Sequence, residues 1–220
     1  MNTYTEENYL KAIYKFSRSS DDSVSTNIIA EELDTKASSV TDMIKKLSDK
    51  KLVSYQKYKG VKLTNKGRKI AISVIRKHRL WEYFLVEKLD FKWDEVHDMA
   101  EQLEHIQSDE LVERLDSFLE YPKYDPHGDP IPDKDGNLNH HVDISLSDLK
   151  PNQCGLVVGV KEHSTSYLKY LESIGLLLGV KVKVNEIVDF DHSMNIQIGK
   201  QKMNISFQAS KHLIIKKTAC

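Results

Sequence analysis

The stretch A-S-S-V-T-D-M-I-K-K-L-S-D-K-K-L-V-S-Y-Q-K-Y-K-G-V-K-L-T, Ala37 to Thr64, holds two periodicities in succession. Val40, Ile44 and Leu47 recur at the spacing of one helix face, predicting a helix from about Ala37 to Lys50. Leu52–Gln56 and Val61–Thr64 then read as short strands around Lys57–Gly60. Upstream, Ser25 or Thr26 starts a short helix, Asn27 to Leu33, and a turn follows at Asp34–Lys36. Short helix, tight turn, helix and hairpin is the order of a winged helix-turn-helix.

The pattern extends outward on both sides. Residues 4–18 place Tyr4, Leu10, Ile13, Tyr14 and Phe16 on a helical pattern, with Thr5 as N-cap. Thr64 caps a long helix from Asn65 to about Leu89, and two more helices are expected at Asp94–Ile106 and Ser108–Leu119. Their apolar faces exceed what a small winged helix covers, which implies a dimer interface as well as core. Residues 121–143 hold four of the five prolines and read as an irregular connector. Beyond it, Val180, Val182 and Val184 alternate with lysine, and Ile196–Ile198 and Ile205–Phe207 alternate likewise. Leu156–Val160 reads as a buried strand, Leu213–Lys216 as a closing strand and Tyr167–Ile174 as one short helix. Short strands with glycine punctuation imply a small all-β barrel. The expected architecture is mainly α: a winged helix-turn-helix over 1–64, a helical metal-binding and dimerisation domain over 65–120, the connector over 121–143, and the barrel over 144–220.

Composition suits this plan. The 220 residues are 40% hydrophobic and 30% charged, as in soluble globular chains. The net charge of -1 conceals an asymmetry: Lys and Arg dominate from Lys36 to Arg79, Glu and Asp from Glu82 to Glu120. A basic segment in a neutral protein suits a polyanion at one end only. Ser38, Ser39, Thr41, Asp42 and Lys45 open the third helix on the face away from Val40, Ile44 and Leu47. Small hydroxyl residues there admit the backbone to a DNA groove, and a helix start offers N–H donors to phosphate. Lys46, Lys50, Lys57, Lys59 and Lys62 would contact phosphates, with Tyr58 and Lys59 at the wing tip. Cys154 and Cys220 lie far apart and support neither a zinc knuckle nor a disulfide framework, so a reducing cytoplasm is the default. The polar Met1–Tyr9 is no signal peptide, and no apolar run reaches membrane-helix length.

His97, Glu101, Glu104 and His105 fall on one helical arc, and His78 and Glu82 are four apart on the preceding helix. One such pair is more often a surface ion pair. Two sets on adjacent helices can converge on a divalent ion. Imidazole and carboxylate without thiolate suit Mn(II) or Fe(II), with Zn(II), Co(II) and Ni(II) also able to bind.

R-K-H-R-L-W-E (Arg76–Glu82), E-V-H-D-M-A-E-Q-L-E-H (Glu95–His105) and S-D-E (Ser108–Glu110) together resemble the DtxR/MntR family of metal-dependent repressors. S-S-V-T-D-M-I-K-K-L and K-G-V-K-L-T-N-K-G resemble its winged helix and long-helix start, and D-P-H-G-D-P-I-P (Asp125–Pro132) resembles the connector of its longer members. The C-terminal module resembles their SH3-like, FeoA-type domain. The resemblance implies a primary metal site of Glu101, Glu104 and His105 with a first-helix ligand at the position of Asn8. It implies a secondary site of His78, Glu82 and His97, closed by groups from the connector or barrel, with Asp125, His127, Glu162 and His163 as candidates. Glu101 stands where iron-type members carry cysteine and manganese-type members glutamate, which tilts toward manganese. Asn8 stands where those classes carry methionine and aspartate respectively.

The function so implied is a cytoplasmic homodimeric repressor. It would bind a palindromic double-stranded operator at metal-uptake genes, with one or two Mn(II) or Fe(II) ions per subunit as corepressor. Neither a membrane nor a small-molecule substrate is expected as a partner, and no enzymatic activity. A winged-helix regulator responding to a small molecule without metal is the alternative. A two-metal hydrolase is a third reading, but the chain has no nucleophile motif or glycine-rich phosphate loop.

Overall fold

In the computed structural model, which describes residues 2–17, 22–56, 59–138 and 144–220, the first helix α1 (Tyr4–Phe16) is capped by Thr3, not Thr5. Thr3 accepts from the Glu6 amide while the Glu6 carboxylate returns to the Thr3 amide, a reciprocal capping box that Thr5 has no glutamate to complete. Ser25 caps α2 (Thr26–Glu32), and α3 (Ala37–Asp49) follows after a tight turn. Strands β1 (Val53–Gln56) and β2 (Gly60–Leu63) pair antiparallel from Val53↔Leu63 to Gln56↔Gly60. Val24 joins the ladder through reciprocal 2.9 Å bonds with Val61. A side chain at Gly60, whose φ is +90, would lie 2.6 Å from the Val24 carbonyl, so that approach requires glycine. Leu10, Ile13, Ile29, Val40, Ile44, Leu47, Leu52 and Val61 fill one buried core, each such side chain contributing about 1.5–3 kcal/mol. Helix, turn, helix and hairpin therefore match the expected winged helix. The expected wing-tip residues Lys57 and Tyr58 lie outside the described residues.

Thr64 accepts from the Gly67 amide at 3.1 Å and starts α4 (Asn65–Leu89). Helix α5 (His97–Leu103) is shorter than the expected Asp94–Ile106. Residues 93–95 form a turn ahead of it, with the Glu95 amide on the Lys92 carbonyl. Glu104 and His105 lie in the turn that ends it, although the Glu104 amide still reaches the Ala100 carbonyl at 2.9 Å. Ser108 caps α6 (Asp109–Phe118).

The C-terminal part is an antiparallel sheet of β3 (Ile144–Ser145), β4 (Cys154–Val160), β5 (Lys181–Ile187), β6 (Met194–Ile198), β7 (Gln201–Ile205) and β8 (Leu213–Thr218). The strand order is β3-β8-β4-β5-β6-β7. Register shifts at Val157/Gly159 and Val184/Glu186 bend it. Helix α7 (Thr165–Ser173) supplies Leu168 and Leu171 to its core. The strand expected to reach Phe207 stops at Ile205, because Ser206 caps a short helix, α8 (Phe207–Ser210). Cys154 and Cys220 form a disulfide, correcting the expectation of none. Antiparallel pairing sets Cys154 opposite Thr218, so the chain two residues on from Thr218 meets the start of β4.

The chain divides into two compact units. One comprises Met1–Trp81, Ala100–Tyr121 and Ile131–Leu138; the other comprises Glu82–Met99, Pro122–Pro130 and Asn139–Cys220. Within the second unit the proline-rich connector is ordered against β4. The Asp125 carboxylate accepts from the amides of His127 and Asp129, and the His127 carbonyl accepts from the Val160 amide. At Gly128, φ +86, an added Cβ would sit 2.1 Å from the Val158 carbonyl. Among the described residues no helix is long and apolar enough to cross a membrane.

Within the first unit, α1 is tied to the end of α3 by Glu6. This fully buried carboxylate accepts from Lys50 at 2.8 Å through both oxygens and lies 3.1 Å from Lys46. Burial opposes the charged form, but the two ammonium groups and the Thr3 amide outweigh it and hold the Glu6 pKa near about 2. Glu6→Gln is expected to destabilise the protein by about 1–3 kcal/mol at neutral pH, the range for a hydrogen bond to a charged group. Because folding depresses this pKa, the contribution is complete above the ordinary value of 4.5 and is lost as pH falls toward about 2. Urea midpoints of the two proteins should therefore converge across that window; a constant offset would overturn the assignment.

Candidate metal centres and nucleic-acid interface

The first centre is built in the first unit from α1, α4 and the turn after α5. His105 is buried, and its Nδ1 lies 2.7 Å from Glu7 Oε2. A carboxylate only accepts, so Nδ1 carries the proton and Nε2 is left as the lone-pair nitrogen. The Tyr4 ring stacks on the imidazole at 4.7 Å, and Gln107 donates to the other Glu7 oxygen at 2.7 Å. Glu7 thus orients a histidine instead of facing away, as its position beside Asn8 had suggested. His105 Nε2 lies 3.7 Å from Glu104 Oε1. That oxygen and Asn8 Oδ1 are both buried without a hydrogen-bond donor among the described residues. Two orphaned oxygens and an imidazole lone pair form a donor set that a hard divalent cation fits, and buried acceptors otherwise cost free energy.

The opposite side of Glu104 differs. Its Oε2 lies 2.6 Å from His78 Nδ1 and 2.6 Å from Lys11 Nζ, and Lys11 also donates to Glu101 Oε1 at 2.6 Å. The structure therefore groups His78 with Glu101 and Glu104. Lys11 went unread in the sequence, where a lysine on a helix carries no metal signal.

The second centre lies in the second unit. His127 is buried, with Nε2 2.8 Å from the Trp93 carbonyl. A carbonyl only accepts, so Nε2 holds the proton and the Nδ1 lone pair faces Glu82 Oε2 at 3.5 Å. Two acceptors face each other there, and a cation between them resolves the conflict. Without a metal that cation is a proton: burial disfavours the imidazolium, but Glu82, Asp125 and the Trp93 carbonyl outweigh it and raise the His127 pKa to about 9. Donor atoms of Glu82, Asp125 and His127 all fall within 4.8 Å of one another. His97 Nδ1 is 3.3 Å from Glu82 Oε1. The His163 ring stacks on His127 at 4.9 Å, with its Nε2 3.6 Å from Asp129 Oδ2. Glu162 is not gathered in; it accepts from the Ser164 amide at 2.9 Å. Asp129 was missed because an Asp among prolines reads as a turn residue.

On the presumed DNA face, α3 begins at Lys36 without a side-chain cap. Ser38, Ser39, Asp42, Lys45, Lys46 and Lys59 are exposed and Thr41 is half-buried, its hydroxyl turned onto the Ala37 carbonyl at 3.0 Å. Lys45 pairs with Asp42 at 3.3 Å, while Lys46 leans toward Glu6. Tyr58 lies outside the described residues.

A winged helix joined to buried carboxylate–imidazole centres defines a metal-responsive DNA-binding protein. Comparison with known proteins agrees. Residues 1–61 match the iron dependent repressor N-terminal DNA binding domain, and residues 64–133 match the iron dependent repressor metal binding and dimerisation domain. Residues 144–217 match the FeoA domain. The diphtheria toxin repressor of Corynebacterium jeikeium is 30% identical over 190 residues, covering 86% of this chain and 77% of that protein. A solved manganese-dependent transcriptional repressor in complex with manganese superposes with TM-score 0.86 at 34% identity, covering 97% of this chain and 100% of that one. ScaR with bound Cd2+ gives TM-score 0.79 at 33% identity, over 97% and 99% of the two chains. The chain belongs to the diphtheria toxin repressor family of metal-dependent, DNA-binding transcriptional repressors.

If Glu7 orients His105, Glu7→Gln should weaken divalent-ion binding at the first centre by roughly 10–100-fold, the usual effect of losing such a partner. Isothermal titration with Mn(II) would measure it, with far-UV dichroism as the check on folding. Unchanged affinity would leave Glu7 a structural residue only.

Proposed function

We propose that this chain is a homodimeric repressor whose corepressor is Mn(II), with Fe(II) able to substitute, and that it acts on a palindromic operator at metal-uptake genes in the cytoplasm. The carrying observation is the first centre: Glu104 Oε1 and Asn8 Oδ1, buried without donors, face the lone-pair side of a histidine fixed by Glu7. Asn8, Glu104 and His105 would hold the ion, with Glu101 and His78 adding charge and donors beside it. Glu82, Asp125 and His127 would hold a second, with His97 and His163 adjacent. A carboxylate at Glu101 in place of a soft thiolate favours the harder Mn(II). The bound ion supplies positive charge where three carboxylates, Glu7, Glu101 and Glu104, converge with one ammonium.

The chain's own residues convert that charge into DNA binding. Asn8 lies on α1, whose neighbouring Glu6 holds the last turn of α3. Fixing α1 fixes α3, and in a dimer it fixes the spacing of two such helices against two half-sites. The domain plan read from the sequence serves this: a winged helix to read DNA, a helical segment for metal and dimerisation, a connector carrying Asp125 and His127, and the C-terminal sheet that supports it.

Operator affinity of the purified protein should rise on the order of 10–100-fold with Mn(II) under anaerobic conditions, and respond to Fe(II) as well. Glu104→Ala with His105→Ala should remove that response while leaving the dichroism spectrum unchanged. Equal affinity with Mn(II) and with chelator would favour a metal-independent regulator and overturn this reading.

A further inference from the structure

We propose that Lys11 is a built-in cation of the first centre, confining it to a single divalent ion on Asn8, Glu104 and His105. The inference rests on the reading of that centre as a metal site, and adds how many ions it takes. Glu104 is a carboxylate facing two ways. Its Oε1 lies toward His105 Nε2 without a donor. Its Oε2 receives Lys11 Nζ at 2.6 Å. The same ammonium is 2.6 Å from Glu101 Oε1 and 3.4 Å from His78 Nδ1. Two carboxylate oxygens and an imidazole nitrogen around one point are the donors a hard divalent ion collects. A lysine head stands there instead.

The placement follows from the helix. Lys11 is three residues beyond Asn8 on α1, so both project from one side of it. α1 therefore supplies a neutral oxygen to one side of Glu104 and a positive charge to the other. The two cation positions share one bridging carboxylate, and a second divalent ion would have to expel an ammonium held by two carboxylates. Glu101 is then a counter-charge that holds Lys11, not a ligand. The Lys11 stem is only about one-fifth exposed, so the head is not a loose surface group that swings aside without loss of packing.

The test uses the full-length chain with the second centre silenced by Glu82→Gln and His127→Ala, stripped of metal and titrated with Mn(II). With Lys11 in place, one ion per chain and the six-line EPR spectrum of isolated Mn(II) are expected. Adding Lys11→Met, which keeps the apolar stem, should raise the count to two and give the spectrum of an exchange-coupled pair. Lys11→Arg should hold it at one. A coupled pair in the chain that retains Lys11 would overturn the proposal without any appeal to a Lys11 variant, should that fold poorly. A folded Lys11→Met protein that still takes one uncoupled ion would overturn it too. If the chain with Lys11 binds no ion, and Glu104→Ala changes nothing, the metal assignment of the centre falls first and the proposal with it.

Discussion

Burying a carboxylate without an answering positive group is among the most costly things a fold can do, and α1 buries two in succession. Glu6 and Glu7 are adjacent and both lose nearly all exposure, yet point to different neighbours. Glu6 is met by Lys46 and Lys50 at the end of α3, and Glu7 by His105 and Gln107 beyond α5. On a helix, consecutive side chains diverge by about 100°, so one short segment can hold two partners at once. Removing either partner leaves an uncompensated buried charge, which makes the position of α1 a requirement of both the DNA-reading helix and the metal centre.

Charge balance explains why the centre suits a divalent ion. With imidazoles neutral, Glu7, Glu101 and Glu104 bring three negative charges and Lys11 one positive charge. The remainder is what a single divalent cation cancels. A monovalent ion would leave the cluster anionic, and two divalent ions alongside Lys11 would overcharge it. The second centre reaches a similar balance differently. Glu82 and Asp125 face a histidine whose tautomer is set by a backbone carbonyl, so its free nitrogen meets the carboxylate side. In both centres a hydrogen bond on one ring nitrogen aims the other, the arrangement by which proteins orient metal-ligating histidines.

Much of this was legible in the sequence because it is local. The spacing of Val40, Ile44 and Leu47, the turn before Ala37 and the hairpin after Leu52 each follow from neighbours a few residues away, and each element forms within two residues of its expected ends. The His and Glu residues were visible for the same reason. What escaped depends on contacts across the fold. Lys11 meets Glu101 from 90 positions away and Cys154 meets Cys220 across 66, and no periodicity reports either. The α5 boundary was overextended because its apolar pattern continues through Trp93, whose side chain packs instead with the core of the C-terminal sheet. Asp129 and the fixed turn at Gly128 were hidden by a proline-rich composition that reads as irregular, although the segment is hydrogen-bonded to β4.

The uncapped start of α3 bears on how the protein meets DNA. Helix starts usually recruit a side-chain oxygen to their unpaired amides, as Thr3, Ser25 and Ser108 do for three other helices here. Lys36 provides none, so the first amides of α3 and the Ser38 and Ser39 hydroxyls are left to solvent or phosphate. A lysine at that position adds attraction for an anion and contributes no cap to the free helix. Meanwhile the other end of α3 is fixed by Glu6 through Lys46 and Lys50. The helix is thus anchored where it is remote from the operator and open where it meets it. Any change in how firmly α1 is held therefore reaches DNA through the anchored end, and the metal centre on α1 is placed to make that change.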